Sequence, residues 1–146
     1  MKHREVKIFS RSCEQVFAVV ADVERYPEFL PGWSEVRILR SEGDRLEVEQ
    51  RLRLALLRIR FRSVARLECC RQIFIESRDA PFGSMTIRWQ FEPQGEGRCR
   101  VCVEIGLDLR AGPLKGPLQS FLRGSCSTLL HLFEERLEKL YGHDGR

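Results

Sequence analysis

The chain has no apolar run that approaches the ~18 uninterrupted residues needed to span a bilayer as a helix. Histidine is scarce: His3, His131 and His143 lie far apart, so no histidine pair stands at metal-ligand spacing and little is available for acid–base work near neutral pH. Lysine is rare too, because arginine supplies 21 of the 25 basic side chains. The opening MKHREVKIFS has basic residues but no apolar core and no small-residue cleavage site, unlike a signal peptide. A cytoplasmic protein, at most peripheral to the inner membrane, is expected. No repeat, linker or low-complexity tract breaks the 146 residues, so a single domain over 1–146 is expected.

What is present is globular in character. Apolar residues make up 42% and charged residues 32%, a balance that supports a packed core rather than disorder. The six cysteines then read as thiols of a reducing compartment. Cys99 and Cys102 have CxxC spacing, but they lie in RCRVCVEIGLDL, whose alternation marks a strand. Residues three apart on a strand face opposite ways, so this pair does not make a zinc site and no metal is expected. Cys69 and Cys70 have no nearby histidine either.

Periodicity sets the order of elements. Glu5 to Ser10 alternates as a short strand, with Val6 and Ile8 on one face. Ser12 with Gln15 three residues on makes a capping box, and Val16, Phe17, Val19 and Val20 form the apolar side of the helix that follows. Asp22 opens a second, very short helix that is expected to stop where Pro27 interrupts it. Glu35 to Leu39 returns to strand, and alternation recurs over 46–56, 59–68, 72–77, 85–92 and 98–109. Seven strands with short links predict a meandering antiparallel sheet.

From Leu118 the period changes to that of a helix, with Phe121, Leu122, Leu129, Phe133, Leu137 and Leu140 as its stripe. About two dozen residues make a helix ~36 Å long, enough to cross a sheet. The expected class is α+β, a curved antiparallel sheet wrapped around a long C-terminal helix. Within that helix Gly124-Ser125-Cys126-Ser127-Thr128 interrupts the bulky stripe. Such a run permits either close backbone approach to the sheet or an unfilled space between helix and sheet, and we expect the space.

Arginines 51, 53, 58, 60, 62 and 66 alternate with Leu52, Leu54, Ile59 and Phe61, so they project from one side of a hairpin. Glu47, Glu49 and Glu68 are available there as cross-strand partners. A solvated outer face accounts for this pattern. An anion- or RNA-binding face is the alternative, but no aromatic residues are interleaved to stack bases, and nothing points to DNA.

One segment resists these rules. VADVERYPEFLPGW, residues 20–33, places Tyr26, Phe29, Leu30 and Trp33 among prolines and a glycine that prevent regular structure. It resembles the signature of the coenzyme Q-binding protein and ribosome-association toxin branch of the START-like (polyketide cyclase/dehydrase and lipid transport) superfamily. APFGSMTIRWQFEP, residues 80–93, is similar to a second motif of that branch, with Ala80 where glycine is usual. Gly32-Trp33-Ser34 replaces a more usual Pro-Trp-Cys. With the C-terminal helix, the resemblance covers nearly the whole chain.

The resemblance implies a helix-grip fold with an internal cavity. Tyr26, Phe29, Leu30, Trp33 and Phe82 would sit at its mouth, as plug or as gate. Strand parity places Leu52, Leu54, Ile59, Phe61, Ile87, Trp89, Phe91, Val101, Val103 and Ile105 on the inward side. Gln50, Ser63, Ser125 and Thr128 are the few polar groups expected beside them, able to orient a carbonyl. The implied function is to bind a prenylated quinone or other lipid, as a carrier or chaperone supporting respiratory quinone function, with no cofactor required. Transient contact with a membrane surface or respiratory complex follows from it.

Two alternatives stay open. One is a polyketide cyclase or aromatase, which needs a positioned acid or base. Only His131 qualifies, and no carboxylate is expected at an inward strand position, so no catalytic residue is assigned. The other is interference with ribosomal subunit association through the arginine face.

Overall fold

The computed structural model describes residues 1–54, 57–79, 82–113 and 115–142. Strand β1 (Lys2–Phe9) leads into helix α1 (Cys13–Ala21) and a 3-10 helix (Val23–Glu28). Strands β2 (Trp33–Glu42), β3 (Arg45–Leu54), β4 (Leu57–Glu68), β5 (Gln72–Ser77), β6 (Phe82–Pro93) and β7 (Cys99–Leu109) follow, and helix α2 (Lys115–Tyr141) closes the chain. All seven strands form one antiparallel sheet in the order β1-β7-β6-β5-β4-β3-β2. The run from β2 to β7 is the meander that the alternation and short links dictate, and β1 joins beside β7.

The curved sheet grips α2 on its concave face. The helix buries Leu118, Leu122, Cys126, Leu130, Phe133 and Leu137, a stripe with the 3.6-residue period of a helix laid on a core. Pro117 lies in its first turn, where a missing N–H costs nothing. Gly142, at φ 79°, ends it by donating its N–H to Glu138 O at 2.7 Å, the left-handed stop that glycine supplies. Leu140, expected on the stripe, is 50% exposed; the buried line leaves the sheet at Leu137.

The capping box forms as read: Gln15 N–H donates to Ser12 Oγ at 3.2 Å and Ser12 N–H to Gln15 Oε1 at 3.3 Å. The next helix departs from expectation. It passes through Pro27 to Glu28 as a 3-10 helix, and Asp22 makes no side-chain cap. Proline lacks only an N–H, and the tighter winding is completed by Phe29 N–H donating to Tyr26 O at 3.1 Å.

Strand β1 starts at Lys2 ahead of the expected Glu5, and Val6 and Ile8 share one face as read, the outer one. Phe9 is buried, so His3, Glu5 and Lys7 share its helix-facing side, while Val6 and Ile8 are 40% and 44% exposed on the other. Lys7 Nζ reaches Glu134 Oε1 of α2 at 2.7 Å. An edge strand tolerates this polar inner row because helix and solvent share it. Edge strand β2 carries two register irregularities, another device that blunts an edge.

The β3–β4 hairpin extends past the rest of the sheet. Strand β5 pairs with β4 only between Val64 and Glu68, whereas β3 pairs with β4 down to Leu54 and Leu57. Its end lies beside the Pro31-Gly32 turn, where Arg53 N–H donates to Gly32 O at 2.8 Å.

Candidate functional site

A short turn builds the entrance. Leu30, Pro31, Gly32 and Trp33 form a β-turn closed by Trp33 N–H donating to Leu30 O at 3.3 Å, with Gly32 at φ 88°. Proline second and a positive-φ glycine third is the type II arrangement. The pair is thus a fixed corner, and it aims the Trp33 indole between the sheet and α2. The indole N–H donates to Gln50 Oε1 at 2.9 Å, and Gln50 Nε2 donates to Ser63 Oγ at 3.2 Å.

The preceding segment is anchored by aromatic packing. Phe29 meets Tyr26 and Phe133 edge-on at ring centroid distances of 6.0 and 5.1 Å. The Arg136 guanidinium lies 5.1 Å from the Phe29 ring centroid and bonds Glu28 Oε1 at 2.8 Å. Glu28 also pairs with Arg25, and hydrogen bonds from Arg25 and Arg136 hold its carboxyl below the usual range. Tyr26 is buried and donates its hydroxyl to Val20 O; burial pushes its ionisation upward.

Behind the turn lies an apolar cavity of about 90 Å³. Of the residues expected to line it, Gln50, Leu52, Phe61, Ile87, Trp89, Ile105 and Ser125 do. Tyr26, Leu30, Trp33 and Phe82, expected at the mouth, also contribute to its wall. Sequence reasoning missed Ile75, Met85, Leu107, Leu122, Cys126, Leu129 and Phe133. Met85 and Leu107 share the parity of Ile87 and Ile105 on their own strands, and Ile75 stands opposite Ile87, so extending the alternation finds these three; the four α2 residues follow only from how the helix packs.

Other expected wall residues lie elsewhere. Val101 and Val103 are fully buried in solid core. Phe91 is stacked 6.2 Å from Trp89 and edge-on to Phe17 of α1, which fills its side of the core. Ile59 and Ser63 are buried but do not reach the cavity, although Ser63 touches it through Gln50. Phe29 supports the entrance from behind. The Leu54 side chain lies outside the described residues. Glu5 does take a helix-facing position, contrary to expectation, but outside the cavity lining.

The small-residue run of α2 also resolves differently. Gly124 is exposed, and a Cβ placed there would meet nothing within 4 Å, which rules out close backbone approach. Thr128 faces outward with it, its hydroxyl within 3.4 Å of Gly124 O. These residues leave an external groove of about 360 Å³ between α2 and the turn, bounded by Pro31, Phe121, Gly124, Thr128 and Leu132. Leu30, Trp33, Ser125 and Leu129 line both the groove and the cavity. They form one thin partition between the two spaces.

Among the described residues no charged side chain lines the cavity. Its lining among the described residues includes no carboxylate and no imidazole. Cys126 is in the wall, its thiol pushed up to about 11 by burial. His131 stands on the outer face of α2, 65% exposed and 3.5 Å from Glu135. Cys99 faces the core beside Cys13, Sγ to Sγ 2.8 Å, one alternation out of phase with Cys102. Among the described residues no three His, Cys, Asp or Glu side chains gather as a metal site.

On the opposite side of the sheet the arginines project outward as expected, but across the β3–β4 ladder most of them face another arginine. Arg51 faces Arg60, Arg53 faces Arg58 and Arg45 faces Arg66 across the β3–β4 ladder. Glu49 stands opposite Arg62, as expected, and it and Glu47 also pair along their own strand, with Arg51 at 3.4 Å and Arg45 at 3.0 Å. The fold also brings Phe74 between Arg66 and Arg88, an aromatic neighbour invisible in the linear pattern. Its ring is covered by Arg88 at 4.8 Å.

This architecture has known counterparts. The polyketide cyclase / dehydrase and lipid transport family matches over residues 9–134. The chain belongs to that family. A ribosome association toxin, RatA, of Pseudomonas aeruginosa is 31% identical, over 87% of this chain and 88% of its own. The mitochondrial coenzyme Q-binding protein COQ10 of Dictyostelium discoideum is 28% identical, over 88% of this chain and 64% of its own. The crystal structure of the Zhui aromatase/cyclase from Streptomyces superposes over 100% of this chain and 99% of its own, with a TM-score of 0.83 at 16% identity. That likeness is one of fold. Members of this family thus share a helix-grip frame whose interior is suited to hydrophobic ligands, and among the described residues no helix is long and apolar enough to cross a membrane.

Proposed function

We propose that the chain binds a prenylated quinone or similar lipid, head group in the cavity and tail in the groove, as a carrier or chaperone. The partition formed by Leu30, Trp33, Ser125 and Leu129 carries this reading, because these side chains line both the apolar cavity and the outer groove. A cavity of about 90 Å³ is smaller than the ~150 Å³ that admits benzene. A quinone ring therefore enters only if Trp33 and Leu129 swing aside and the groove joins the cavity. Gln50 lies in the wall and donates one Nε2 N–H to Ser63 Oγ; the second N–H of that amide is the donor for a quinone carbonyl.

The COQ10 relative supports the choice of ligand class, and the family supports an apolar one. The cargo is the only small molecule this reading requires. Catalysis is not part of it, because the lining among the described residues has no carboxylate or imidazole to act as general acid or base.

The chain has two tryptophans, Trp33 and Trp89, and both line the cavity, so ligand binding is read directly from fluorescence. Short-chain ubiquinone should quench both saturably, and lipid extracted from natively expressed protein should contain a quinone or prenyl lipid by mass spectrometry. Absence of quenching together with an empty extract would reject the proposal. The RatA relative supports a second reading, contact with a ribosomal subunit, for which cosedimentation with isolated subunits is the test.

A further inference from the structure

We infer that the arginine-lined hollow on β3 and β4 docks on an anionic phospholipid surface and presents the neighbouring groove to the bilayer. This rests on the ligand reading for its purpose but not for its test.

The observation is a charge arrangement that folding alone disfavours. Arg51 sits directly opposite Arg60, and Arg53 opposite Arg58, and like charges opposite one another across a ladder destabilise it. Arg51 is partly neutralised by Glu35 and Glu49 at 3.4 Å each. Arg53, Arg58 and Arg60 have no acidic partner among the described residues, and all are exposed. With Ser34 these arginines line a hollow of about 360 Å³. Guanidinium forks gathered around a hollow match the oxygens of a phosphate.

Between these arginines the sequence reads Leu54-Ala55-Leu56-Leu57, an apolar stretch between basic ones. Apolar residues flanked by basic ones suit an interface between acyl chains and anionic headgroups. Polynucleotide binding instead calls for uncovered aromatic rings, and Phe74, between Arg66 and Arg88, is covered.

Position links this surface to the cavity. Arg53 N–H bonds Gly32 O at 2.8 Å and Ser34 Oγ bonds Arg51 O at 3.1 Å. The hollow therefore adjoins the turn that carries Trp33, and Pro31, Trp33 and Phe121 of the groove lie at the same end. Docking there would let an apolar ligand pass between bilayer and groove without crossing water.

The test is flotation of the full chain with phosphatidylcholine vesicles, with and without phosphatidylglycerol. Binding should require phosphatidylglycerol and weaken with salt. Arg53→Glu/Arg58→Glu should weaken it by at least roughly 30-fold, from the contribution of each arginine near such a surface. Arg37→Glu/Arg40→Glu, an equal charge change farther along β2, should leave it intact. Thermal melts report folding, and Arg53→Gln/Arg58→Gln serves if the reversed pair misfolds. Ser125→Phe, which fills the cavity, should abolish quinone uptake and keep vesicle binding, separating the two proposals. Equal binding to neutral vesicles, or no binding to either kind, overturns the docking surface. So does loss of ribosomal RNA binding in Arg53→Glu/Arg58→Glu with vesicle binding unchanged.

Discussion

Trp33 and Gln50 are joined by a hydrogen bond of 2.9 Å from the indole N–H to the amide oxygen, in the wall that separates cavity from groove. The bond satisfies both groups in an otherwise apolar wall and gives the indole a defined closed position. Opening the entrance means breaking it, and the freed amide oxygen and indole N–H then need new partners. One contact thus couples the state of the entrance to the polar group closest to an incoming ligand.

Removing the indole should change kinetics more than affinity. For Trp33→Ala, stopped-flow binding of short-chain ubiquinone, followed by Trp89 fluorescence, should show association and dissociation both at least ~10-fold faster. A double-mutant cycle with Gln50→Leu should give a coupling of about 1 kcal/mol in urea denaturation. Unchanged rates would reduce Trp33 to a structural plug.

The helix offers a test of where its space lies. Gly124 is exposed in the interior of α2 with open space where a Cβ would be, so Gly124→Ala should stabilise the fold by about 1 kcal/mol. Thr128→Trp should fill the outer groove and slow uptake while the protein stays folded. A destabilised Gly124→Ala would mean that the backbone packs closely there after all.

Alkaline stability should carry the mark of the buried thiol. Burial raises Cys126 from 9.0 to about 11, and Tyr26 and Cys99 shift upward for the same reason. A raised value means the folded state holds the proton after the unfolded chain has released it. The stabilisation is therefore complete below about 9 and lost as pH rises towards about 11 for Cys126, with Tyr26 and Cys99 extending the loss to higher pH. Urea midpoints should fall across that window, by at most roughly 3 kcal/mol from this thiol. The fall should be shallower in Cys126→Ala.

Tyr26→Phe isolates the anchoring role. Losing the hydroxyl leaves Val20 O without its buried donor, which should cost roughly 1–3 kcal/mol. Quinone affinity of the folded fraction should not change. A large affinity loss at full stability would place the hydroxyl on the ligand.

His131→Ala should change stability and quinone binding by no more than ~0.5 kcal/mol, as its exposure on α2 requires. A hundredfold loss of a ligand-dependent activity would reopen the cyclase reading.

Much of this protein is written in local patterns. Alternation along 46–56 and 98–109, the Ser12–Gln15 box and the helical period after Leu118 specify the seven strands and two main helices, because each depends on neighbours a few residues apart. The same locality made Gln50, Leu52, Trp89 and Ile105 legible as inward positions. What local pattern cannot supply is register between elements. Only the assembled sheet decides that Val101 and Phe91 fill solid core while Ile105 and Trp89, of the same parity, face the cavity, since each depends on which helix residue lies opposite. Only the placement of α2 against the Leu30–Trp33 turn sends Gly124 and Thr128 to an outer groove instead of an inner void. Pairing likewise sets Arg53 against Arg58, a conflict of like charges that no single strand contains and that tertiary structure creates by bringing two basic stretches face to face.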